Sequence, residues 1–333
     1  MTKIYFSILL FFAFNLFSFA QEGIPVYFDY LSDNYYLVHP SMAGIGEGGK
    51  VRLTARKQWF NVEEAPNLQT INAHYRIGEK SGVGAIIFND ANGYHSQTGA
   101  KFTYAHHLRF GGDARSLNQL SFGLSGTILQ SSLDETEFRS VTPDPSIVGS
   151  KISATYFNTD NFLEFYAHAT ILNALSSKRN LYYKDRNDNP LVPEVDNLRR
   201  YLLSVGYVFD RGDWQFEPSI LLQMTDFTQE KSIDINAKVY RDVVFGKVWG
   251  GISYRRSFDG AQYATADSFG EQRLQLITPI VGVNYKNFMV SYNYSYQMGD
   301  IRFDNGGFHQ ITLGYDFLQS EKRYDCKCPA VNY

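Results

Sequence analysis

Cysteine is almost absent from this chain: Cys326 and Cys328, both close to the C-terminus, are the only two. The fold is therefore not a disulfide scaffold. After the N-terminus, no stretch approaches the ~18 consecutive apolar residues that a membrane-spanning helix needs. Charge is not concentrated either, since 31 basic and 34 acidic residues are spread along the chain. These absences exclude a helical membrane protein and give no indication of a nucleic-acid partner.

The first residues are typical of a secretory signal peptide. Lys3 gives a basic start, an apolar stretch runs from Ile4 to Phe19, and small residues flank Phe19 at the end of that stretch. We expect cleavage between Ala20 and Gln21, which makes residues 1–20 the signal peptide. A transmembrane anchor is the alternative, but it needs roughly 20 apolar residues with suitable flanks.

Aromatic residues are abundant, with 24 tyrosines and 26 phenylalanines, and many of them recur at every second position. In Phe288–Gly299 the apolar residues occupy one face and the polar residues mainly the other, and Trp214–Thr225 repeats this alternation. A period of two is the mark of β-strands whose two faces meet different surroundings. The whole mature chain yields about fourteen such strands.

Strand length and the connections between strands indicate a membrane barrel. Many strands exceed the ~5–6 residues usual in soluble proteins and match the ~9–11 that a tilted membrane strand needs. Short links such as 78–80, 210–212 and 286–287 mostly alternate with long ones at 132–149, 175–199, 258–271 and 300–307. We therefore predict an all-β transmembrane antiparallel β-barrel in the bacterial outer membrane, with short periplasmic turns and long extracellular loops. A secreted β-sandwich or propeller is the alternative.

The barrel is expected to occupy residues 49–318. Residues 21–48 precede the first strand and would lie at the periplasmic rim or fold inward as a plug. Residues 319–333 form a periplasmic tail that carries Cys326 and Cys328. We expect these cysteines to be oxidised, with a partner or a second copy rather than in a strained ring, and free thiols are the alternative. Near Pro279 the apolar face changes phase, which predicts a β-bulge there.

Signatures of chemistry are scarce, so we predict that the protein is not an enzyme and binds no cofactor. The glycine-rich stretch Gly44–Gly49 lacks the strand-to-helix setting of a phosphate loop. His106 and His107 fall on opposite faces of a strand and cannot hold one metal ion together. The expected lumen face carries both signs of charge, which fits either a self-filled polar interior, the favoured reading, or a water-filled channel. Its members are Arg52, Arg56, His74, Arg76, Lys101, Arg109, Glu217, Asp234, Lys238, Lys247, Arg255 and Arg273.

An ordered series of short motifs resembles the PorP/SprF family of the Bacteroidetes. The turn at 39–44 is similar to the family's Asn-Pro-Ala-x-Ala-Gly, with histidine in place of asparagine, and Arg56–Trp59 is similar to its Arg-x-Gln-Trp. The further matches are Ala65–Thr70 with His74, Gly82–Gly84, Phe88–Asp90, Gly93, Gln97–Gly99 and Tyr156–Phe162. The resemblance implies an outer-membrane partner of the type IX secretion system, which exports surface adhesins, some of them used in gliding motility.

We therefore expect a barrel that sits in outer-membrane lipid with other type IX components and assists the export or surface anchoring of one adhesin-like protein. A channel for small or hydrophobic solutes is the second hypothesis, and a structural or adhesive surface barrel is the third. Cargo contacts are expected on loop aromatics, namely Tyr182, Tyr183, Tyr263 and Phe269.

Overall fold

The computed structural model describes residues 34–46, 48–58, 65–93, 95–110, 118–133, 147–160, 163–174, 198–226, 228, 230–265, 268–298 and 307–318. Among these residues, one helical turn, α1 (Tyr35–Val38), and a 3₁₀ turn (Pro40–Met42) lie before the first strand. The described residues then form fourteen strands: β1 (Gly49–Gln58), β2 (Asn67–Ile77), β3 (Ser81–Asn92), β4 (His95–Arg109), β5 (Asn118–Leu133), β6 (Ile147–Asp160), β7 (Leu163–Leu172), β8 (Arg200–Arg211), β9 (Trp214–Thr225), β10 (Lys231–Val243), β11 (Gly246–Thr265), β12 (Ser268–Tyr285), β13 (Phe288–Met298) and β14 (Phe308–Phe317).

All these strands pair antiparallel with their neighbours in the sequence, which confirms the predicted all-β antiparallel class. The first and last strands also pair, from Gly49 opposite Phe317 to Gln58 opposite Phe308, so that the sheet closes on itself. Closure leaves no open strand edge. An open edge on strands of ten or more residues would leave a long row of backbone N–H and C=O groups without hydrogen bonds. None of the described helices is long and apolar enough to cross a membrane.

Residues along each strand alternate between a buried inner face and an exposed outer face. In β9, for example, Glu217 and Ser219 are buried whereas Ile220 and Leu222, on the alternate positions, are exposed. The outer face is mostly aliphatic and aromatic, and the inner face is mostly polar. A soluble protein would expose the opposite pattern, so this arrangement fits a sheet that lipid surrounds.

The two ends of the barrel differ in their connections. At one end, here the short-turn end, residues 78–80, 161–162, 212–213, 244–245 and 286–287 join consecutive strands, and the longer link 110–117 joins β4 to β5. At the other, here the long-link end, the links at 59–66, 134–146, 173–199 and 299–307 are longer. The link at 226–230 has five residues, and β3–β4 and β11–β12 are joined at this end by two residues each, 93–94 and 266–267.

Three expectations about β11 and β12 are wrong. The pairing of Ile252 with Pro279 and of Tyr254 with Ile277 is regular, so no bulge lies at the proline, and the register shifts instead between Arg256 and Gly260. Arg273 therefore falls on the outer alternation and is exposed rather than inside. Residues 258–271 are also not one long loop, because both strands continue as a hairpin as far as Thr265 and Ser268.

Candidate functional site

The N-terminal residues 34–46, here the interior segment, lie inside the closed sheet. Every residue of the segment is buried, and its side chains contact the inner faces of strands on different sides of the barrel. His39 has extended backbone angles (φ −114°, ψ 107°), because the following proline disfavours helical geometry at this position. Pro40 then opens the 3₁₀ turn, where its missing N–H is not needed. The His-Pro pair thus sets the path of the segment.

Glu217 on β9 is the centre of a group of contacts among the described residues of the interior. Tyr35 of the interior segment and Tyr166 of β7 each donate a hydrogen bond of 2.5 Å to its Oε1. Tyr240 of β10 donates one of 2.7 Å to Oε2, and the ammonium of Lys238 lies 3.3 Å from the same oxygen. The side chains of Glu217 and Lys238 are completely buried. A buried carboxylate is tolerated only when its oxygens are satisfied in this way.

A glycine on β8 lets the Tyr166 side chain lie over that strand, on the inner face of the barrel, and reach the Glu217 carboxylate. Tyr166 lies opposite Gly206 of β8, and β8 separates β7 from β9. A Cβ atom at Gly206 would collide with the ring and hydroxyl of Tyr166. The absent side chain therefore allows the ring to lie over β8.

Lys238 is also surrounded by aromatic rings. Its ammonium lies 5.5 Å from the ring centroid of Tyr35, 5.4 Å from that of Tyr240 and 5.7 Å from that of Trp249. Cation–π attraction at these distances partly replaces the water that the ammonium loses. Tyr35 therefore contacts both members of the buried ion pair.

His39 joins β7 to β8. Its Nδ1 lies 2.7 Å from the Thr170 hydroxyl on β7, and its Nε2 lies 3.1 Å from the Ser204 hydroxyl on β8. The ring also stacks on His168, with 4.5 Å between centroids and 13° between planes. Two hydroxyl partners can each donate or accept, so both nitrogens of a neutral imidazole are satisfied.

The remaining contacts join the interior segment to β2 and β4. Tyr36 donates a 2.9 Å hydrogen bond to the Thr103 hydroxyl. The backbone N–H of Gly44 donates to His74 Nδ1 at 3.0 Å, and His107 Nε2 donates to the Ala43 carbonyl at 3.1 Å. The interior segment is thereby bound to five strands, β2, β4, β7, β8 and β9, by side-chain hydrogen bonds.

Most of the predicted lumen residues lie on the inner face. The buried ones are Arg52, Arg56, His74, Arg76, Lys101, Glu217, Asp234, Lys238, Lys247 and Arg255. Arg109 ends β4 and is exposed. Arg255 and Asp234 form a two-point ion pair with distances of 2.6 and 2.5 Å. The sequence does not predict the interior hydrogen bonds of Tyr35, Tyr166, Tyr240 and His39, because most of their partners lie far away in the sequence.

The residues predicted for the loops, the C-terminal tail and the signal cleavage site are not among the described residues of this interior group. Tyr182, Tyr183, Cys326, Cys328, Ala20 and Gln21 lie outside the described residues. Tyr263 and Phe269 belong to the β11–β12 hairpin, where Tyr263 is paired with Gly270 and Phe269 with Ala264.

Solved structures align with the chain at low identity, and an outer-membrane protein of Vibrio cholerae is among them. OmpT of Vibrio cholerae in its trimer form is 10% identical, with 82% of this chain and 99% of that chain covered and a TM-score of 0.38. OmpF of Salmonella typhi in complex with daunomycin is 12% identical, with coverages of 82% and 98% and a TM-score of 0.36. CdiB from Escherichia coli is 8% identical, with coverages of 80% and 63% and a TM-score of 0.41. No curated protein matches the chain.

A family model gives the decisive match. The family described as type IX secretion system membrane protein PorP/SprF matches residues 19–315, which includes the interior segment and nearly the whole barrel. This match confirms the resemblance seen in the sequence and the outer-membrane location expected from it. The chain belongs to the PorP/SprF family of type IX secretion system membrane proteins.

Proposed function

We propose that this protein is an outer-membrane partner of type IX secretion that receives or anchors one exported adhesin-like protein, with a link to gliding motility. The family match over residues 19–315 carries this proposal. The protein works by binding rather than by catalysis, and it acts together with other components of the secretion system.

The interior segment supports a docking role over a conduit role. Side-chain hydrogen bonds tie it to five strands around the barrel, and it occupies the space through which a solute or an unfolded chain would pass. Cargo would then bind at a rim of the barrel. In a solute channel, the interior should instead present a continuous hydrated path.

The long-link end is the proposed outer, cargo-binding end. Barrels of this type have short periplasmic turns and longer extracellular loops. Aromatic residues are exposed on the outer face near the short-turn end, and they fit an aromatic girdle at the periplasmic boundary of the outer membrane. They include Tyr75, Tyr104, Trp214, Tyr285, Phe288 and Tyr315. Tyr182 and Tyr183 fall in the longest link, 173–199, and together with Tyr263 and Phe269 they are the proposed cargo anchors.

A surface proteome of a deletion strain tests this function. Deletion should remove one or a few surface proteins and leave the other type IX substrates on the cell. Plasmid-borne wild-type protein should restore them, whereas the Tyr182→Ser/Tyr183→Ser variant should restore them poorly. The Tyr182→Phe/Tyr183→Phe variant keeps both rings and is the matched control. An unchanged surface proteome together with reduced uptake of one small solute would replace the secretion role by the channel role.

A further inference from the structure

A groove of about 420 Å³ opens on the outer face of the barrel where the first and last strands meet. Its aliphatic lining comes from Leu313 and Ile311 of β14, Leu53 of β1, Ile71 of β2 and Ile87 of β3. These side chains are 41–55% exposed, so they are available to whatever surrounds the barrel. Ala55 lies between Ile311 and Gln69 in the register, and its small side chain leaves the gap.

Polar side chains border this groove on the side of the long-link end. Gln69 lies opposite Asn89, and Asn89 lies opposite Thr98, so the three form one row across β2, β3 and β4. Thr98 Oγ1 donates a 2.8 Å hydrogen bond to Asn89 Oδ1. All three residues are exposed on the face that is otherwise apolar. They are placed to bond to polar groups of a ligand at the edge of the hydrocarbon.

A cation lies one step further toward the same end. Lys57 follows Ala55 on the outer alternation of β1 and is paired with His309 on one side and Asn67 on the other. The aliphatic groove, the side-chain amides of Gln69 and Asn89, and the ammonium of Lys57 therefore follow one another along the barrel axis. An amphiphile with an acyl chain, a carbonyl linkage and a phosphate has the same order of groups.

The band of apolar residues on the outer face is also shorter beside the groove than it is on β9. On β9 the apolar outer residues extend from Trp214 to Met224, about 34 Å along the strand, whereas on β2 they extend only from Ile77 to Ile71, about 20 Å. Where the apolar band is short, either the bilayer becomes thinner or the polar part of a bound lipid lies deeper along the outer face of the barrel. Gln69 and Asn89 occupy the level at which that polar part would lie.

We propose that this groove binds a phosphorylated acyl-glucosamine lipid of the outer leaflet, lipid A. One acyl chain lies over Leu53, Ile71 and Ile311, its amide or ester linkage bonds to Gln69 and Asn89, and a phosphate pairs with Lys57. The groove continues the lipid-contacting surface of the barrel, and the ammonium complements the phosphate. The assignment to the outer leaflet rests on the orientation given under Proposed function, whereas binding itself does not depend on secretion.

Native mass spectrometry of the full-length protein in detergent tests the site, with lipid A, dephosphorylated lipid A, phosphatidylglycerol and phosphatidylcholine titrated separately. Wild-type protein should retain lipid A at the lowest concentration. Ala55→Trp fills the groove and should weaken lipid A binding about tenfold or more. Lys57→Gln should weaken it to a similar extent and remove the preference over dephosphorylated lipid A. Ala237→Trp places the same side chain at an exposed outer position of β10 and should change nothing.

Several results would overturn the proposal. Equal binding of lipid A and phosphatidylglycerol would mean that the groove does not select the acyl-glucosamine lipid. Equal binding by the wild type and Ala55→Trp would mean that lipid attaches elsewhere. A photo-crosslinking amino acid at position 55 should capture lipid in cells, and capture of a protein instead would make the groove a protein interface. Heat-dependent gel migration of each variant checks that the barrel has folded. Normal lipid A binding together with an unchanged surface proteome in the deletion strain would count against the secretion role alone.

Discussion

The hydroxyl of Tyr35 lies 2.5 Å from Glu217 Oε1, a contact between residues 182 positions apart in the chain. Tyr35 belongs to a helical turn that precedes every strand of the barrel, and Glu217 lies on the ninth strand. The contact can therefore form only after the sheet has curved around the interior segment. It joins the N-terminal region to the far wall through a carboxylate that is completely buried.

Removal of the Glu217 charge should destabilise the protein strongly. Glu217→Ala leaves Lys238 buried without its counter-ion, which typically costs about 3–5 kcal/mol. The double variant Glu217→Gln/Lys238→Met should recover much of this loss, because both charges are gone. Urea titration of the detergent-solubilised barrel, followed by heat-dependent gel migration, measures the effect. A single variant as stable as the wild type would mean that the ion pair contributes nothing.

Release of the interior segment should open a conducting path. Tyr35→Phe/His39→Ala removes the segment's hydrogen bonds to Glu217, Thr170 and Ser204. At about 1 kcal/mol for each bond, the population of released segments should rise roughly a hundredfold. Single-channel recording in planar bilayers should detect openings that the wild type shows rarely. The control Tyr75→Phe/His106→Ala changes the same residue types outside the interior and should stay closed. Steady conductance of the wild type would contradict a closing role.

Gly123 should tolerate no side chain, in contrast to Gly126 three positions further along β5. A Cβ at Gly123 would collide with the backbone of Pro40 and Ser41, whereas one at Gly126 meets nothing within 4 Å. Gly123→Val should therefore destabilise the barrel by about 1–3 kcal/mol through overpacking. Gly126→Val, on the exposed outer face, should be neutral or slightly stabilising. Equal midpoints of thermal unfolding for the two variants would show that the interior segment does not press on β5.

The strands could be predicted from the sequence because lipid outside and polar groups inside impose one rule on every strand. The alternation in Phe288–Gly299 and Trp214–Thr225 predicted β13 and β9 almost to the residue. Where an irregularity interrupts the rule, the prediction failed. The register shift lies between Arg256 and Gly260 rather than at Pro279, and Arg273 consequently faces outward.

The interior contacts could not be predicted in the same way. Alternation places Glu217 and Lys238 on the inner face, and their direct opposition on β9 and β10 follows from the hairpin. It does not indicate that Tyr166 crosses β8 at Gly206 or that His39 joins β7 to β8, because these contacts depend on barrel curvature and on the path of the interior segment.

The orientation of the barrel can be tested by a tag at each end. Thr228 lies in the link between β9 and β10 at the long-link end, and Gly212 lies in the two-residue turn between β8 and β9 at the short-turn end. If short turns face the periplasm, an epitope tag inserted after Thr228 should be labelled by antibody on intact cells. A tag inserted after Gly212 should be labelled only after the outer membrane is permeabilised. Both positions lie next to β9, so both tags should perturb the same part of the sheet, and unchanged gel migration would confirm folding. Labelling in the opposite sense would invert the topology, because the residues proposed to bind cargo would then face the periplasm.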